Sequence, residues 1–204
     1  MKKSFFITLD GIEGVGKTTQ IKLLENYLKS KNKEYISTRE PGGFALAESI
    51  RALLLSKDMC SITELLLYEA ARSEHINRVV KPALDDGKTV ICDRFIDSTL
   101  AYQGYGRGIN LSVIDELNKI ASHGIEPDLT IILDLTVEQA FARMQKRNQE
   151  PDRIEKSGKE FFVKAREGFL NIAKTQSNRV KIVNADQPEE LIHAEIIKLI
   201  EQKI

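Results

Sequence analysis

A glycine-rich segment that ends in Lys-Thr constrains this chain more than any other feature. Residues 11–18 read GIEGVGKT, which fits the pattern G-x-x-x-x-G-K-[ST]. An apolar run at 5–9 precedes the segment, and a helical pattern at 20–28 follows it. The glycines let successive backbone N–H groups converge on one concavity, and the start of the following helix adds unpaired donors. The segment therefore predicts a socket for phosphate groups between a strand and a helix.

Every residue of this loop belongs to the predicted triphosphate site. Lys17 supplies a mobile positive charge for the β- and γ-phosphates, and the hydroxyl of Thr18 is suited to hold Mg²⁺. The predicted site comprises Gly11, Ile12, Glu13, Gly14, Val15, Gly16, Lys17 and Thr18.

Length and charge restrict the remaining possibilities. The 204 residues suit one domain, 1–204, and the 30 basic and 30 acidic residues leave no overall basic surface for nucleic acid. The first residues lack the features of a secretion signal, and no apolar stretch reaches membrane-spanning length. Cys60 and Cys92 lack metal-ligand spacing. We expect a cytoplasmic protein that binds neither nucleic acid nor membranes.

Short apolar runs alternate with helical patterns along the chain. The predicted strands are 5–9, 35–38, 89–92, 129–135 and 180–183. The predicted helices are 19–30, 45–55, 62–85, 111–122, 137–147, 159–174 and 188–202. Strands that are apolar on both faces and alternate with helices indicate a parallel sheet. The prediction is an α/β fold, a three-layer αβα sandwich around a five-stranded parallel sheet, with ligands beyond the carboxyl ends of the strands.

Polar residues stand at those strand ends. Asp93 is placed to organise a metal ion, and Arg94 to clamp a phosphate, although a solvated strand end and a surface ion pair are the alternatives. Tyr68 and Arg72 share a helix face, as ordinary surface residues also do. The mixed polar and aromatic segment 97–104 is suitable lining for a nucleoside pocket.

Several motifs together resemble the thymidylate kinases. Beside the phosphate loop they are REPGG at 39–43, DRF at 93–95, AYQG at 101–104 and DR at 152–153, in the family's order and spacing. The resemblance covers most of the chain. It implies the fold of the P-loop nucleoside monophosphate kinases, transfer of the γ-phosphate of ATP to dTMP with Mg²⁺, and a homodimer.

The resemblance also implies roles for individual residues. Arg72 and Arg94 would contact the dTMP phosphate or its surroundings, Tyr68 would stack on thymine, and Tyr102 would lie near the sugar. Asp10 and Asp93 would organise Mg²⁺ and the acceptor phosphate. The implied dTMP site comprises Asp10, Arg39, Tyr68, Arg72, Arg94, Thr99, Tyr102 and Gln103.

Gly14 and a basic segment further on resemble the bacterial branch of this family. Its eukaryotic branch has an arginine at the position of Gly14, whereas bacterial members carry basic residues in a lid. Here the lid would span about 143–157, with Arg147 and Arg153 as the leading candidates for the arginine that reaches the transferred phosphoryl group. The implied catalytic residues are thus Lys17, Asp93, Arg94, Arg147 and Arg153.

Other functions compete with this interpretation. A deoxynucleoside kinase that phosphorylates thymidine would need a general base, for which Glu40 is a candidate. A P-loop GTPase lacks support because the chain has no Asn-Lys-x-Asp motif. A third alternative is a nucleotide-sensing module that binds nucleotides without catalysis; it would differ from a kinase in showing no turnover.

Overall fold

A five-stranded, all-parallel sheet lies at the centre of the protein, whose structure here is a computed structural model that describes residues 4–146 and 150–203. In spatial order the strands run β2-β3-β1-β4-β5. Their bounds are β1 Phe5–Asp10, β2 Tyr35–Arg39, β3 Thr89–Asp93, β4 Leu129–Asp134 and β5 Val180–Asn184. The predicted α/β sandwich with five parallel strands is confirmed.

Strand β1 forms because its residues are apolar toward both faces of the sheet. All six are buried, and consecutive side chains point to opposite sides. Ile7 and Leu9 pack in the larger core cluster, whereas Phe6 packs with Val80 and lies edge-on to Phe95 at 5.0 Å between ring centroids. Helices therefore cover both faces of the sheet.

The helices connect the strands in the order expected for a parallel sheet. Their bounds are α1 Lys17–Ser30, α2 Ala45–Ser56, α3 Ser61–His75, α4 Lys81–Asp85, α5 Ile96–Thr99, α6 Leu111–Ala121, α7 Val137–Gln145, α8 Lys159–Thr175 and α9 Glu189–Glu201. Two π-helical segments, Ile76–Val80 and Leu100–Gly106, continue α3 and α5, and a 3₁₀ turn spans Glu155–Ser157.

The structure differs from the predicted elements mainly after β3. The segment 96–106 is helical, although its sequence of hydroxyl, amide and glycine residues predicted only a pocket lining. The predicted helix 62–85 is present as α3, a π-helical segment and α4 in succession. Helix α1 starts two residues earlier than expected, directly inside the phosphate loop.

The strand order brings the polar strand ends together. Strand β1 lies between β3 and β4, with Leu9 beside Asp93 and Asp10 beside Ile132. The order of strands changes direction at this point, which is where open parallel sheets bind ligands. The phosphate loop follows β1 at the same edge. Within the described ranges, no helix is both long and apolar enough to cross a bilayer.

Gly14 allows the phosphate loop to lie directly against α7. A capping box fixes the start of α7, with Thr136 and Gln139 each bonding the other's backbone N–H. Gly14 has φ +81°, and a Cβ atom there would lie 2.5 Å from the carbonyl oxygen of Ala140. A side chain at this position is thus excluded by the backbone of the neighbouring helix.

Alanine at Gly14 should destabilise the protein more than alanine at Gly16. Both glycines have positive φ, but a Cβ at Gly16 would meet no atom within 4 Å. Gly14→Ala adds a backbone clash to the shared strain, which should cost about 1–3 kcal/mol more in the free energy of unfolding. Urea denaturation of both variants without ligand measures the difference. Equal losses of unfolding free energy in Gly14→Ala and Gly16→Ala would contradict this prediction and would show that α7 shifts away at no energetic cost.

Candidate active site

The phosphate loop leaves its backbone donors available to a ligand. Helix α1 begins at Lys17 without a side-chain cap and without an acidic residue in its first turn. Its first N–H groups therefore have no partner from a capping side chain, and the positive end of the helix dipole faces the loop. Thr18 is exposed beside them. This arrangement suits the phosphate site predicted for residues 11–18.

Lys17 folds back onto the loop. Its Nζ donates to the carbonyl oxygens of Gly11 and Ile12, both at 3.0 Å. Burial and then the charge of Arg94 lower its pKa to about 8, against the opposing effect of Asp93 and other carboxylates. The ammonium is thus charged at neutral pH and positioned at the base of the loop.

Arg94 connects the phosphate loop to the rest of the site. Its Nη1 donates to Gly11 O at 2.8 Å, and its Nη2 donates to Glu13 Oε1 at 2.7 Å. Its guanidinium also lies over the ring of Tyr102, 5.0 Å from the centroid. The backbone of Arg94 has φ +69°, a conformation that costs a non-glycine residue energy and that is concentrated at functional sites.

Two neighbouring cavities meet at Arg94. The first, which we call the loop cavity, is bordered by Lys17, Thr18 and Asp93. The second, the inner cavity, is bordered by side chains from α3, α5 and the π-helical segment after α5. Residues common to both walls are Glu13, Arg51, Arg94 and Asp152. The shared wall places Arg51 and Arg94 where ligands in the two cavities would meet.

Asp10 and Asp93 stand at the strand ends with one unpaired oxygen each. Asp10 Oδ1 accepts from Ser98 Oγ at 2.5 Å, while the buried Asp10 Oδ2 and Asp93 Oδ1 have no hydrogen-bond partner among the described residues. Burial and the charge of Asp97 raise the pKa of Asp10 to about 6. Unpaired carboxylate oxygens are hard ligands of the kind that Mg²⁺ prefers. No cluster of three or more His, Cys, Asp or Glu side chains in the described ranges forms a complete metal site.

The inner cavity contains most of the residues predicted for the nucleoside. Thr99, Tyr102 and Gln103 lie three and four positions apart and therefore share one helix face. The widened π-helical backbone presents the last two, as π-helices often do at functional sites. Tyr102 also donates to Glu13 Oε2 at 2.6 Å. Tyr68 borders the same cavity from α3.

Arg72, predicted to contact the dTMP phosphate or its surroundings, is held by four protein acceptors at the wall of the inner cavity. Its Nε donates to Glu40 Oε2, its Nη1 to Glu69 Oε1 and Asn118 Oδ1, and its Nη2 to Thr99 Oγ1. A guanidinium has five N–H groups, so one remains for a ligand in the described part of the chain. Arginine binds phosphate best through two parallel N–H groups. Arg72 therefore suits a single carbonyl acceptor in the inner cavity.

Glu40 is not available as the general base of a nucleoside kinase. Its Oε2 accepts from Arg72 at 2.8 Å, and its Oε1 lies 2.9 Å from Nδ1 of the buried His75. The other ring nitrogen of His75 is 2.7 Å from Thr38 Oγ1. Both carboxylate oxygens are thus occupied by groups that orient Arg72.

Arg39, predicted for the dTMP site, borders neither of these two cavities but lines an adjoining one together with Thr18 and Asp93. Its side chain is 51% exposed and pairs with Glu48 Oε1 at 2.6 Å. Glu48 also accepts from the backbone N–H of Gly43 at 3.0 Å. This pair stabilises the turn after β2, which explains the position of Arg39 without a ligand.

The predicted lid arginines have different outcomes. Arg147 lies outside the described residues. Arg153 does not border the loop cavity; its Nε donates to Leu54 O at 2.7 Å, and its Nη2 pairs with Glu64 Oε2 at 2.6 Å. Arg143 donates to Ala185 O at 3.0 Å, at the turn after β5. In this conformation Arg153 is therefore a link between the lid and α3.

Sequence reasoning missed Arg51, which borders both cavities. It lies on α2 outside any motif, and its Nη1 donates to Pro41 O at 2.9 Å. Only the fold shows its position, because α2 follows the turn at 40–43 and crosses the site. The pattern of apolar and polar residues in α2 does not distinguish Arg51 from an ordinary surface arginine.

Comparison with known proteins agrees with the motifs. The family model described as thymidylate kinase matches residues 9–196. The thymidylate kinase of Clostridium novyi (strain NT) is 47% identical over 200 residues, 96% of this chain and 98% of that protein. The thymidylate kinase of Symbiobacterium thermophilum is 44% identical over 98% of this chain and 94% of that protein. A crystal structure of thymidylate kinase from Ehrlichia chaffeensis superposes with a TM-score of 0.80 at 40% identity, covering 97% of this chain and 98% of that one. The chain belongs to the thymidylate kinase family.

ATP binding at pH 8 should be accompanied by proton uptake at Lys17. Because the pKa of the free ammonium is about 8, about half of the molecules are deprotonated at that pH, and a bound triphosphate raises the pKa. Calorimetry in two buffers of different ionisation enthalpy should detect an uptake of up to about 0.5 proton. Lys17→Arg, whose guanidinium does not titrate, should abolish the uptake. Identical heats in both buffers for the unmodified protein would contradict this protonation equilibrium.

Proposed function

We infer that this member of the thymidylate kinase family transfers the γ-phosphate of ATP to dTMP, giving ADP and dTDP in the synthesis of dTTP. The observation that carries the assignment is the wall shared by the two cavities. The loop cavity suits the triphosphate of the donor, and the inner cavity suits an aromatic nucleotide. A donor and an acceptor phosphate would thus meet beside Arg51 and Arg94.

We assign the acceptor phosphate to Arg94. Among the described residues, its Nη1 donates to Gly11 and Ser98 and its Nη2 to Glu13, so two of its five N–H donors, the Nε–H and one Nη2–H, remain for a phosphate. Arg51 contributes a second positive charge from the opposite side of the shared wall. These charges offset repulsion between the two anionic substrates.

Alignment and charge neutralisation account for the chemistry. A phosphate monoester loses its second proton near pH 6, so the acceptor is already a nucleophile at neutral pH. The chain needs to hold it in line with the γ-phosphate and to stabilise the transferred phosphoryl group. Lys17 and the loop N–H groups hold the donor, and we keep Arg147 and Arg153 as candidates for charge supplied by the lid.

Mg²⁺ is part of this proposal because the charges on the wall of the loop cavity require it. Among the described residues that border this cavity, acidic side chains outnumber basic ones. The acidic residues are Glu13, Asp93, Glu150, Asp152 and Glu155, and the basic ones are Lys17, Arg51 and Arg94. We propose that Thr18 and Asp93, with Asp10 nearby, hold the ion, while water and phosphate oxygens complete its ligand set. When bound, Mg²⁺ offsets negative charge on the donor phosphates.

ADP release with ATP and Mg²⁺ tests the activity. We expect strong turnover of dTMP, weaker turnover of dUMP and dCMP, and none of thymidine, because Arg94 is placed for an acceptor phosphate and both carboxylate oxygens of Glu40, the candidate base, are occupied. Turnover of thymidine without turnover of dTMP would contradict the assignment. No ADP release with any of the four acceptors would favour a nucleotide-binding module without catalytic activity.

The same assay tests the role of Arg51. Arg51→Met should lower kcat/KM for dTMP by about 100-fold, as expected when one charge near the transferred group is lost. Arg78→Met is the matched control, since Arg78 is 68% exposed and pairs with Glu74 away from both cavities. A normal kcat/KM in Arg51→Met would remove Arg51 from the site.

We also propose a homodimer, as the family resemblance implies. Three neighbouring helices expose large apolar side chains: Leu53 on α2, Ile62 and Leu66 on α3, and Ile120 on α6. Ile62 and Leu66 are four residues apart and form one stripe. Exposed apolar side chains grouped in this way are typical of a surface that a second copy covers.

A charge on this stripe should produce a monomer. Leu66→Glu would place a carboxylate among apolar side chains of the partner, which we expect to prevent association at micromolar concentration. Light scattering coupled to size-exclusion chromatography measures the mass. Leu191→Glu, at a similarly exposed leucine on α9, is the control and should leave the dimer intact. A Leu66→Glu protein that remains dimeric would place the interface elsewhere.

A further inference from the structure

Glu64 is a buried carboxylate that the proposed chemistry does not use. It lies on α3, is 1% exposed, and is surrounded by donors from the end of the π-helical segment after α5 and from Arg153. Its Oε1 accepts from Gln103 Nε2 at 2.9 Å and from Arg107 Nε at 3.1 Å. Its Oε2 accepts from Arg107 Nη2 at 3.2 Å and pairs with Arg153 Nη2 at 2.6 Å. Both oxygens are therefore fully occupied.

These partners keep Glu64 ionised. Burial alone would raise the pKa of the carboxyl group, but the hydrogen bonds from Arg107 and Gln103 and the charge of Arg107 lower it below its usual range. An ionised carboxylate only accepts hydrogen bonds. Arg107 is itself held in place, because it donates to Ser157 Oγ and lies over the ring of Phe161.

The acceptor character of Glu64 determines how the side-chain amide of Gln103 is oriented. Only the NH₂ group of the amide can face a carboxylate, so the choice between its two possible orientations follows from chemistry. Gln103 Oε1 accepts from no group in the described ranges, is absent from the buried unpaired atoms, and belongs to a residue that borders the inner cavity. The free carbonyl oxygen is thus the group that the cavity offers to a ligand.

The neighbouring residue Arg72 offers a hydrogen-bond donor to the same cavity. Arg72 has one remaining N–H and is tied to Thr99, which borders the same cavity. The cavity therefore presents an acceptor, Gln103 Oε1, and a donor, the free N–H of Arg72. This pair matches the adjacent ring N–H and carbonyl of a pyrimidine-2,4-dione. It mismatches a 4-aminopyrimidine, whose ring nitrogen is an acceptor and whose amino group is a donor.

We propose that Glu64 is a positioning residue that sets base specificity, because it fixes the amide of Gln103 so that the inner cavity accepts a pyrimidine-2,4-dione and rejects a 4-aminopyrimidine. The proposal rests on the function proposed above and deepens it. Glu64 does not touch the nucleotide; it acts through Gln103. A 4-aminopyrimidine is rejected because its acceptor nitrogen would face the acceptor Gln103 Oε1 and its amino group would face the donor N–H of Arg72.

The test compares dTMP with dCMP in Glu64→Gln. A glutamine at 64 has both a donor and an acceptor, so the amide of Gln103 is free to turn over. We expect the ratio of kcat/KM for dTMP to that for dCMP to fall by about tenfold or more. The change should appear mainly in KM, since the phosphate groups remain aligned. Glu64→Asp keeps the charge and should retain more of the selectivity.

A control variant separates a change in base specificity from a general disruption of the contacts around Glu64. Arg153→Met removes a partner of Glu64 from the lid side without altering the contact between Glu64 and Gln103. It should leave the dTMP to dCMP ratio unchanged, even if turnover falls for both. Thermal melting of each variant shows whether it is folded. An unchanged ratio in folded Glu64→Gln would overturn the proposal while the function stands.

A measurement on the unmodified protein covers the case in which Glu64→Gln does not fold. A neutron crystal structure of the dTMP complex should place the two Nε2 deuterons of Gln103 on the side of Glu64 and the amide oxygen toward the base. Deuterons between the amide and the base would mean that the NH₂ group faces the nucleotide and would overturn the proposal. If the unmodified protein does not phosphorylate dTMP at all, the proposed function fails instead, independently of the variants.

Discussion

The guanidinium of Arg94 ties the two halves of this site together. It bonds the carbonyl oxygen of Gly11 in the phosphate loop, pairs with Glu13 and covers the ring of Tyr102 in the inner cavity. The left-handed backbone of Arg94 directly after β3 makes these contacts possible. Because the position is strained, the surrounding contacts must be strong enough to maintain it. The relative placement of donor and acceptor sites depends on this one side chain.

Buried charges elsewhere in the inner cavity serve orientation more than stability. Removing charged groups from water costs energy that an ion pair only partly recovers. Arg72 with Glu40 and Glu69 are buried in this way, and Glu64 is buried beside the half-buried Arg107. Each pair fixes a side chain whose remaining polar atom faces the cavity. A rigid set of donors and acceptors costs less entropy when the ligand binds.

The sequence predicted the sheet and most helices because their apolar patterns repeat with the periods of strands and helices. It also pointed to the loop residues, Asp93 and Arg94, which stand in motifs after β1 and β3, and to Tyr102 in the π-helical segment; their functional roles stay predictions. It did not predict the helix at 96–106, because aspartate, serine, threonine and glycine have low helix propensity and burial overrides that preference. Arg51 and Glu64 belong to no motif, so only the packing of α2 and α3 shows their positions. The surface position of Arg39 follows from its pair with Glu48, which sequence spacing does not reveal.

The proposed lid and the proposed base site share the carboxylate of Glu64, and the contacts of Glu64 would allow one to move without the other. Arg153 pairs with a single oxygen of Glu64, whereas Arg107 bonds both oxygens and is anchored on Phe161 and Ser157. If Arg153 leaves Glu64 to approach the phosphoryl group, Arg107 still supplies the positive charge that keeps the carboxylate ionised. The amide of Gln103 then keeps its orientation. Base recognition can therefore stay constant while the lid moves, which separates the choice of acceptor from the chemical step.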